Sequence, residues 1–447
     1  MTYYLIGIKG AGVSSLACIL HDLGNKVVGY DDVIDYRFTE EELIKRNIKI
    51  YNTNEFYEEG MVAIASAAFK LDHKEIVRLK DLGVTFLDYQ KALGDLTREF
   101  NTISIAGTHG KTTTTSLISQ LFNKVEGFGC NCFIGDGHGS ANKDNKYFMI
   151  ESCEFNKHFL NYSPNISIIT NIEEEHMEVF KDSEDIINTY NQFIKNTKKY
   201  AVVCGDSQMC TMLDNTDKKI IYYGMGAINT LKLDVQAINF TFYSNGIKFD
   251  LIYKGKFYDS YLLPFYGKHM LQNTLAVITV CILEGFPKEK IKEHIGDYKR
   301  ANRRFEERFF GNIVVVDDYA HHPSEVRATI TAAVQKYPNK EVIVVFRPNT
   351  YTRTKRFYKD FASVLSLAEH SYITDIYCDR EKAEDYPGVT SDLIVNGCSK
   401  SEKLDPNHLE VLLKHKDAVI CFMSCKDITD LKEGYWDLLN SQIEGDL

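Results

Sequence analysis

The sequence predicts an α/β chain of three domains, each a mainly parallel sheet with helices on both faces. Three observations point there. A strand, a glycine turn and a helix follow one another in Tyr3–Leu23, and the same order recurs in Thr102–Phe122. A third strand-to-helix unit opens the last part of the chain with Ile313–Val316 and a helix from Pro323. Finally, 447 residues exceed one comfortable hydrophobic core, so about two to four domains are expected.

Composition narrows the function classes. With 44% apolar and 26% charged residues the chain reads as a soluble globular protein. A formal net charge of −10 argues against general affinity for nucleic acid or anionic membrane, so an anionic ligand must be held by a local basic site. Eleven cysteines fall at spacings that match no zinc pattern, which favours scattered buried thiols in a reducing compartment. No apolar run reaches the roughly 18 residues of a spanning helix. The start, MTYYLIGIKGAG, lacks the basic region of a signal peptide. A cytoplasmic enzyme is the expectation.

In the first part, Tyr3–Ile8 reads as a strand, and Val13, Leu16, Leu20 and Leu23 lie at helical spacing. Gly10 and Gly12 between them allow close backbone approach to a ligand, with Ser14 just inside the helix. The next strand, Lys26–Tyr30, ends at Asp31 and Asp32, where an acid can bond a ribose hydroxyl. Strands at Met61–Ala65 and Val84–Leu87 with a helix at Lys74–Leu82 complete an open parallel sheet. The polar run Gly94–Asn101 is taken as the first boundary.

The centre is TISIAGTHGKTTTTSLISQLF. Ile103 and Ile105 alternate as in a buried strand, while Leu117, Ile118, Leu121 and Phe122 form a helical stripe. Between them, Gly107, Thr108, His109 and Gly110 form a turn whose N–H groups and helix N-terminus attract an anion. Lys111 adds a full charge for phosphates, and the hydroxyl of Thr112 or Thr113 is placed for Mg2+. Position 105 holds isoleucine where the strict P-loop has glycine, so this is a variant P-loop. An ordinary glycine turn would leave Thr112–Thr115, poor helix formers, crowding the helix start without purpose.

Downstream, the strand Tyr147–Ile150 delivers Glu151, and Ile166–Thr170 delivers Asn171 and the tip IEEEHMEVF. Strand ends beside a P-loop suit metal ligands, which singles out Glu151 and His176. Glu173–Glu175 read instead as a solvated acidic turn. A helix over Asp182–Phe193, a strand at Ala201–Cys204 and alternating strands over Gln236–Tyr261 follow, with a hairpin at Asn245–Gly246. His269 and Asn273 start a helix over Met270–Leu283, where they could embrace a base edge or serve as caps. The charged, turn-like run 296–312 holds the second boundary, with Arg303 and Arg304 able to clamp a phosphate. In the last part, strands at Ile313–Val316, Glu341–Phe346 and Ala418–Phe422 present Asp318, His321, His322 and Arg353 at their ligand-binding ends.

AGTHGKTTTT, together with GIKGAGVSSLA, ESCEFNKHFL, TNIEEEHME, RRFE, DDYAHHPSEV and TYTRT, resembles the Mur ligases from the first strand to the last. The resemblance implies a Rossmann-like N-terminal domain for a UDP-sugar (1–97), a central P-loop ATPase domain with mainly parallel sheet (98–304), and a Rossmann-like C-terminal ligase domain (305–447). It implies that ATP and Mg2+ activate the lactyl carboxylate of UDP-N-acetylmuramate as an acyl phosphate, which the amine of L-alanine attacks. Ile105 is then a family trait.

By that similarity Thr112, Glu151 and His176 hold the metal, and Lys111, His176, Arg304 and His321 serve catalysis. Gly107 to Thr113, His269, Asn273, Arg304 and Asp318 bind nucleotide. Gly10, Gly12, Ser14, Asp31, Ser66, His322 and Arg353 meet the other substrates, Arg353 through the alanine carboxylate. The chain departs from the family at Met270, commonly asparagine, at Asn349, commonly histidine, and at Ser424–Asp427, where the family has GAGD. Ser66 and Ala67 alone keep the usual strand end near SAAFKLDH. Three rival readings are a ligase that attaches a recycled tripeptide to the same UDP-sugar, a non-catalytic nucleotide-sugar-binding homologue, and a nicotinamide dehydrogenase resting on Gly10, Gly12 and Asp31.

Overall fold

The computed structural model describes residues 1–53, 55–177, 179–214, 219–226, 228, 231–300, 303–378, 381–425 and 428–445. By Cα proximity the chain forms two compact units. One holds Met1–Asn239, Asp250–Tyr261 and Gln272–Ala301; the other holds Phe240–Phe249, Leu262–Leu271 and Asn302–Leu447.

Three sheets carry the architecture. The first contains β1 (Thr2–Ile6), β2 (Lys26–Tyr30), β3 (Lys49–Tyr51), β4 (Val62–Ala65) and β5 (Thr85–Phe86) in the order β3-β2-β1-β4-β5, all parallel. Its helices are α1 (Ala11–Asp22), α2 (Glu40–Lys45), α3 (Lys74–Asp81) and α4 (Tyr89–Glu99). Order reverses beside β1, so the turn from β1 into α1 lies at the switch point where α/β sheets bind ligands.

Among the described residues the second sheet has ten strands. They are β6 (Asn101–Ala106), β7 (Cys130–Phe133), β8 (Gly139–Ser140), β9 (Tyr147–Glu151), β10 (Ile166–Ile169), β11 (Tyr200–Cys204), β12 (Lys219–Gly224), β13 (Val235–Tyr243), β14 (Gly246–Tyr253) and β15 (Lys256–Leu263). Their order is β15-β14-β13-β12-β11-β10-β6-β9-β7-β8. β6 is flanked by β10 and β9, both parallel to it, which explains why Thr102 to Ala106 are all buried. The helices are α5 (Lys111–Phe122), α6 (Ser183–Asn196), α7 (Lys268–Leu283) and α8 (Lys288–His294).

In the third sheet, β16 (Glu306–Phe310), β17 (Ile313–Asp318), β18 (Glu341–Phe346), β19 (His370–Ile373), β20 (Ser401–Lys403) and β21 (Ala418–Met423) run in the order β16-β17-β21-β18-β19-β20. Of these described strands only β16 is antiparallel to its neighbour. The helices α9 (Pro323–Lys336), α10 (Tyr351–Leu365), α11 (Asp392–Val395) and α12 (Thr429–Gly445) complete it.

The two runs taken as boundaries carry regular structure. In Gly94–Asn101, Gly94 to Glu99 lie in α4. A Cβ on Gly94 would sit 2.6 Å from the Asn161 carbonyl, so this glycine marks close packing and not a turn. The run 296–312 contains β16, whose charged residues lie on a sheet edge. Lys426 and Asp427 lie outside the described residues.

Candidate active site around the P-loop turn

The turn from β6 to α5 has the predicted backbone. Gly107 (φ +131°) and Gly110 (φ +83°) occupy conformations that L side chains rarely adopt. Both also need the space: a Cβ on Gly107 would lie 2.2 Å from Thr170 Oγ1, and one on Gly110 would lie 2.7 Å from Asn273 Oδ1. Asn171 holds the turn shut, accepting from the His109 N–H at 2.8 Å and donating to the His109 carbonyl at 3.0 Å. The Thr170 hydroxyl donates to that carbonyl at 2.6 Å. Threonines fit inside α5 because the Thr115 hydroxyl bonds back to the Lys111 carbonyl.

Lys111 turns its ammonium back over the turn. It donates to the Gly107 and Thr108 carbonyls and to Glu154, whose two oxygens lie 3.1 and 3.3 Å away. Burial alone would lower the Lys111 pKa; Glu154, then Cys153 and Glu151, raise it above the ordinary lysine value. Thr112 Oγ1 is 3.1 Å from Glu151 Oε1, and the other Glu151 oxygen accepts from the Gly135 N–H at 2.9 Å. Lysine, threonine and acid therefore converge at the P-loop strand end.

His176 is carried differently. It follows β10 with φ +56°, and its ring meets Phe155 edge-on at 5.1 Å. The reading of Glu173–Glu175 as a solvated turn is corrected. All three are partly buried, the Glu173 N–H donates to Thr108 Oγ1 at 2.8 Å, and Glu174 accepts from the Ser183 hydroxyl. This acidic tip is the outer wall of the P-loop turn.

Two residues at this site escape sequence reasoning. Glu154, only 3% exposed, is the Lys111 counter-ion; a second acid three residues after Glu151 is its signal. Asn171 reads as a strand end, but nothing in the sequence tells that its amide grips the turn.

The N-terminal glycine turn is built from its own acid. Asp31, 5% exposed, accepts from the Lys9 N–H at 2.9 Å and the Val33 N–H at 3.1 Å. Its carboxylate thus closes the turn that Gly10 and Gly12 open. Ser66 Oγ accepts from the Ala68 N–H at 3.3 Å. The loop after β7 ties this turn to the P-loop. Ser15 Oγ donates to the Ile134 carbonyl at 2.9 Å, and Ser14 Oγ to the Gly137 carbonyl at 3.5 Å. Arg46 bonds Asp22 through two nitrogens and reaches the Gly139 carbonyl at 3.2 Å.

Within the second unit, the predicted residues organise two local structures. Asp318 accepts from the backbone N–H groups of Phe305 and Ala320 at 2.8 and 2.9 Å. Burial pushes its carboxyl above the usual range, against the pull of Arg304. Arg304 lies over the Tyr319 ring at 5.0 Å. Arg303 bonds Asp317 at 3.1 Å and the Ser424 carbonyl at 2.7 Å. His322 caps α9 in a capping box with Glu325, and His321 Nδ1 lies 3.0 Å from both the Tyr319 carbonyl and a Glu325 oxygen. At the start of α7, the His269 ring packs against Gly267. Arg353 donates to Asn349 Oδ1 at 3.1 Å.

All eleven cysteines are free, and no helix among the described residues is long and apolar enough to cross a membrane.

Residues 2–101 match the model of the Mur ligase family catalytic domain, 105–281 the Mur ligase middle domain and 303–425 the Mur ligase glutamate ligase domain. Among solved structures, the UDP-N-acetylmuramate-alanine ligase of Thermotoga maritima aligns with TM-score 0.81 and 23% identity over 99% of this chain and 100% of that one. A murein peptide ligase from Psychrobacter arcticus aligns at 0.67 and 19% over 98% of each. A MurF ligase from Thermotoga maritima in complex with ADP gives 0.63 and 17% over 93% and 95%. These likenesses show a shared three-domain α/β fold. With the three family domains matched in order along its length, the chain belongs to the Mur ligase family of ATP-dependent amide-bond-forming ligases.

Proposed function

We propose that the protein joins L-alanine to the lactyl carboxylate of UDP-N-acetylmuramate, with release of ADP and phosphate, as a step of peptidoglycan precursor synthesis. The observation that carries the choice within the family is the alignment over the whole length of an alanine ligase at TM-score 0.81, against 0.67 for the murein peptide ligase. The compact ESCEFNKHFL segment favours the same side. ATP and a cytosolic sugar nucleotide place the enzyme in the cytoplasm.

Chemically, an oxygen of the lactyl carboxylate attacks the γ-phosphorus and ADP leaves. The neutral amine of alanine then attacks the acyl carbon, phosphate leaves, the amide keeps one of the two amine protons, and the other ends on the released phosphate. Two anions must be brought together first, which costs electrostatic energy unless cations flank them. Lys111 supplies one positive charge at the turn, and the helix N-terminus that opens at Gly110 supplies partial charge, while the Thr108 and His109 N–H groups are held by Asn171. Thr112 and Glu151, hard oxygen donors 3.1 Å apart, fit Mg2+, which would neutralise phosphate charge when bound; His176 is the proposed third ligand. Asn273 beside Gly110, with His269, Arg304 and Asp318, is assigned to the nucleotide. Gly10, Gly12, Ser14, Asp31 and Ser66 are assigned to the UDP-sugar site, His322 and Arg353 to the other substrates, and His321 to catalysis. Boundaries near 97 and 304 are the proposed domain limits.

Purified protein given UDP-N-acetylmuramate, Mg-ATP and either L-alanine or the recycled tripeptide should release phosphate with alanine. Release with the tripeptide alone would overturn the assignment, and release with neither would favour the non-catalytic homologue. NADH should show no saturable fluorescence change.

A further inference from the structure

The turn between β18 and α10 is strained and heavily tied. Thr350, a β-branched residue, sits at φ +66°, a conformation that persists only when its surroundings enforce it. The enforcing contacts are these. Glu381 accepts from the Tyr351 N–H at 2.6 Å, the Thr352 N–H at 3.1 Å and the Thr352 hydroxyl. Thr350 Oγ1 accepts from the Arg353 N–H at 3.3 Å. The first-turn N–H groups of this 15-residue helix are thus engaged by the chain's own side chains. The Tyr351, Thr352 and Arg353 N–H groups are already engaged and do not serve a substrate carboxylate.

What aims that guanidinium is Asn349, 7% exposed. Its Oδ1 accepts from Arg353 Nη1 at 3.1 Å, while its Nδ2 donates to the Tyr377 carbonyl at 3.1 Å. Each side fixes the other. Turning the amide over would face NH2 against a guanidinium and oxygen against a carbonyl. The backbone makes the anchor firm, because Asn349 and Tyr377 form a parallel bridge and the Tyr377 N–H donates to the Pro348 carbonyl at 3.0 Å. Arg347, the other arginine of the turn, is held by both oxygens of Asp430 at 3.0 and 2.7 Å.

We propose that Asn349 is the positioning residue of the amino-acid site, tying the Arg353 guanidinium to the Tyr377 carbonyl and so setting the plane in which Arg353 meets the substrate α-carboxylate. The inference rests on the assignment of Arg353 to that carboxylate. It also accounts for a residue that departs from the family pattern. An amide donates and accepts at once, as a neutral imidazole does.

The test is steady-state kinetics with L-alanine, ATP and UDP-N-acetylmuramate varied in turn. Asn349→Leu, which keeps the branched heavy-atom shape and removes both bonds, should raise the KM for alanine about ten-fold, the effect of one charge-assisted hydrogen bond. The KM for ATP and kcat should stay within about two-fold. In an Arg353→Ala background the leucine substitution should add nothing to the alanine KM, since the two residues act through one contact. If the leucine variant does not melt cooperatively, Asn349→Ser, too short to reach Arg353, carries the same expectation. An unchanged alanine KM in the Asn349 variant, with a large rise in Arg353→Ala, overturns the positioning role alone. An unchanged alanine KM in Arg353→Ala overturns the carboxylate assignment and the inference with it. Full additivity in the double variant reduces Asn349 to a structural residue and also overturns it.

Discussion

Glu154→Gln separates the counter-ion of the P-loop lysine from the rest of the site. The Lys111 and Glu154 side chains are 15% and 5% exposed, so the pair is shielded from solvent. Removing one member of such a pair typically costs about 3–5 kcal/mol, because a buried charge is left uncompensated. Glutamine keeps the shape and one acceptor oxygen, and Lys111 keeps the Gly107 and Thr108 carbonyls, which places the loss at the lower end, about 3 kcal/mol. For a cooperative unit of roughly 150–250 residues that is a fall of about 6–12 °C in Tm. Nucleotide should change the comparison, since phosphate gives Lys111 another counter-charge. At saturating Mg-ADP the gap between wild type and variant should close to about a third of its size, as ligand linkage predicts for a variant whose deficit the ligand supplies. Differential scanning fluorimetry across a nucleotide titration reads both quantities. Equal melting without nucleotide, or a gap that saturating Mg-ADP leaves unchanged, would refute the view that Glu154 balances the lysine.

Lys111→Ala should lower the rate of phosphate release by about 10^2-fold or more, the usual cost of removing a charge that stabilises a transition state; near-normal turnover would take the P-loop out of the mechanism. Gly107→Ala should abolish activity and destabilise the central fold by more than about 2 kcal/mol, because the new Cβ meets Thr170 and the backbone is left-handed, with circular dichroism melting as the measurement. Burial works to raise the Asp22 pKa, but the Arg46 guanidinium and the Ala141 N–H outweigh it and hold the carboxyl below the usual range. Its stabilising share is therefore present above the unfolded pKa, about 3.9, and is lost as pH falls through the lower folded value. In urea melts the stability gap between wild type and Asp22→Asn should be constant from pH 7 to pH 5 and shrink only below about pH 4.

Much of the fold is legible because the sheets are parallel. Buried central strands such as Asn101–Ala106 and Glu341–Phe346 read as apolar runs with helical stripes after them, and their C-terminal ends mark the ligand side before any coordinates are known. The start of Pro323–Lys336 is marked by its proline. Two short edge strands are invisible: Lys49–Tyr51 and Ser401–Lys403 carry too few residues to show a period. Gly94 misleads because a glycine that permits close packing inside a helix looks the same as one that ends it. At the site, residue types point to Lys111, Thr112 and Glu151. The sequence is silent on which acid faces the lysine, since Glu151 and Glu154 follow one strand and only the path of the backbone sends one to Thr112 and the other to Lys111. Asp31 and Asp318 read as ligand-facing acids, and in the fold both carboxylates hold backbone turns, a role that residue type does not distinguish from binding.

The loop after β7 bears on how the protein can be divided. Ser15 on α1 holds Ile134, and the next residue, Gly135, holds Glu151. The acid proposed for the metal is therefore aligned by a peptide whose far side is bolted to the first helix of the chain. Cutting the chain near residue 97 would not liberate a self-sufficient ATPase module. It would leave Glu151 leaning on a strap with one end detached, so the first helix of the chain helps to hold the strand end that carries the proposed metal ligand.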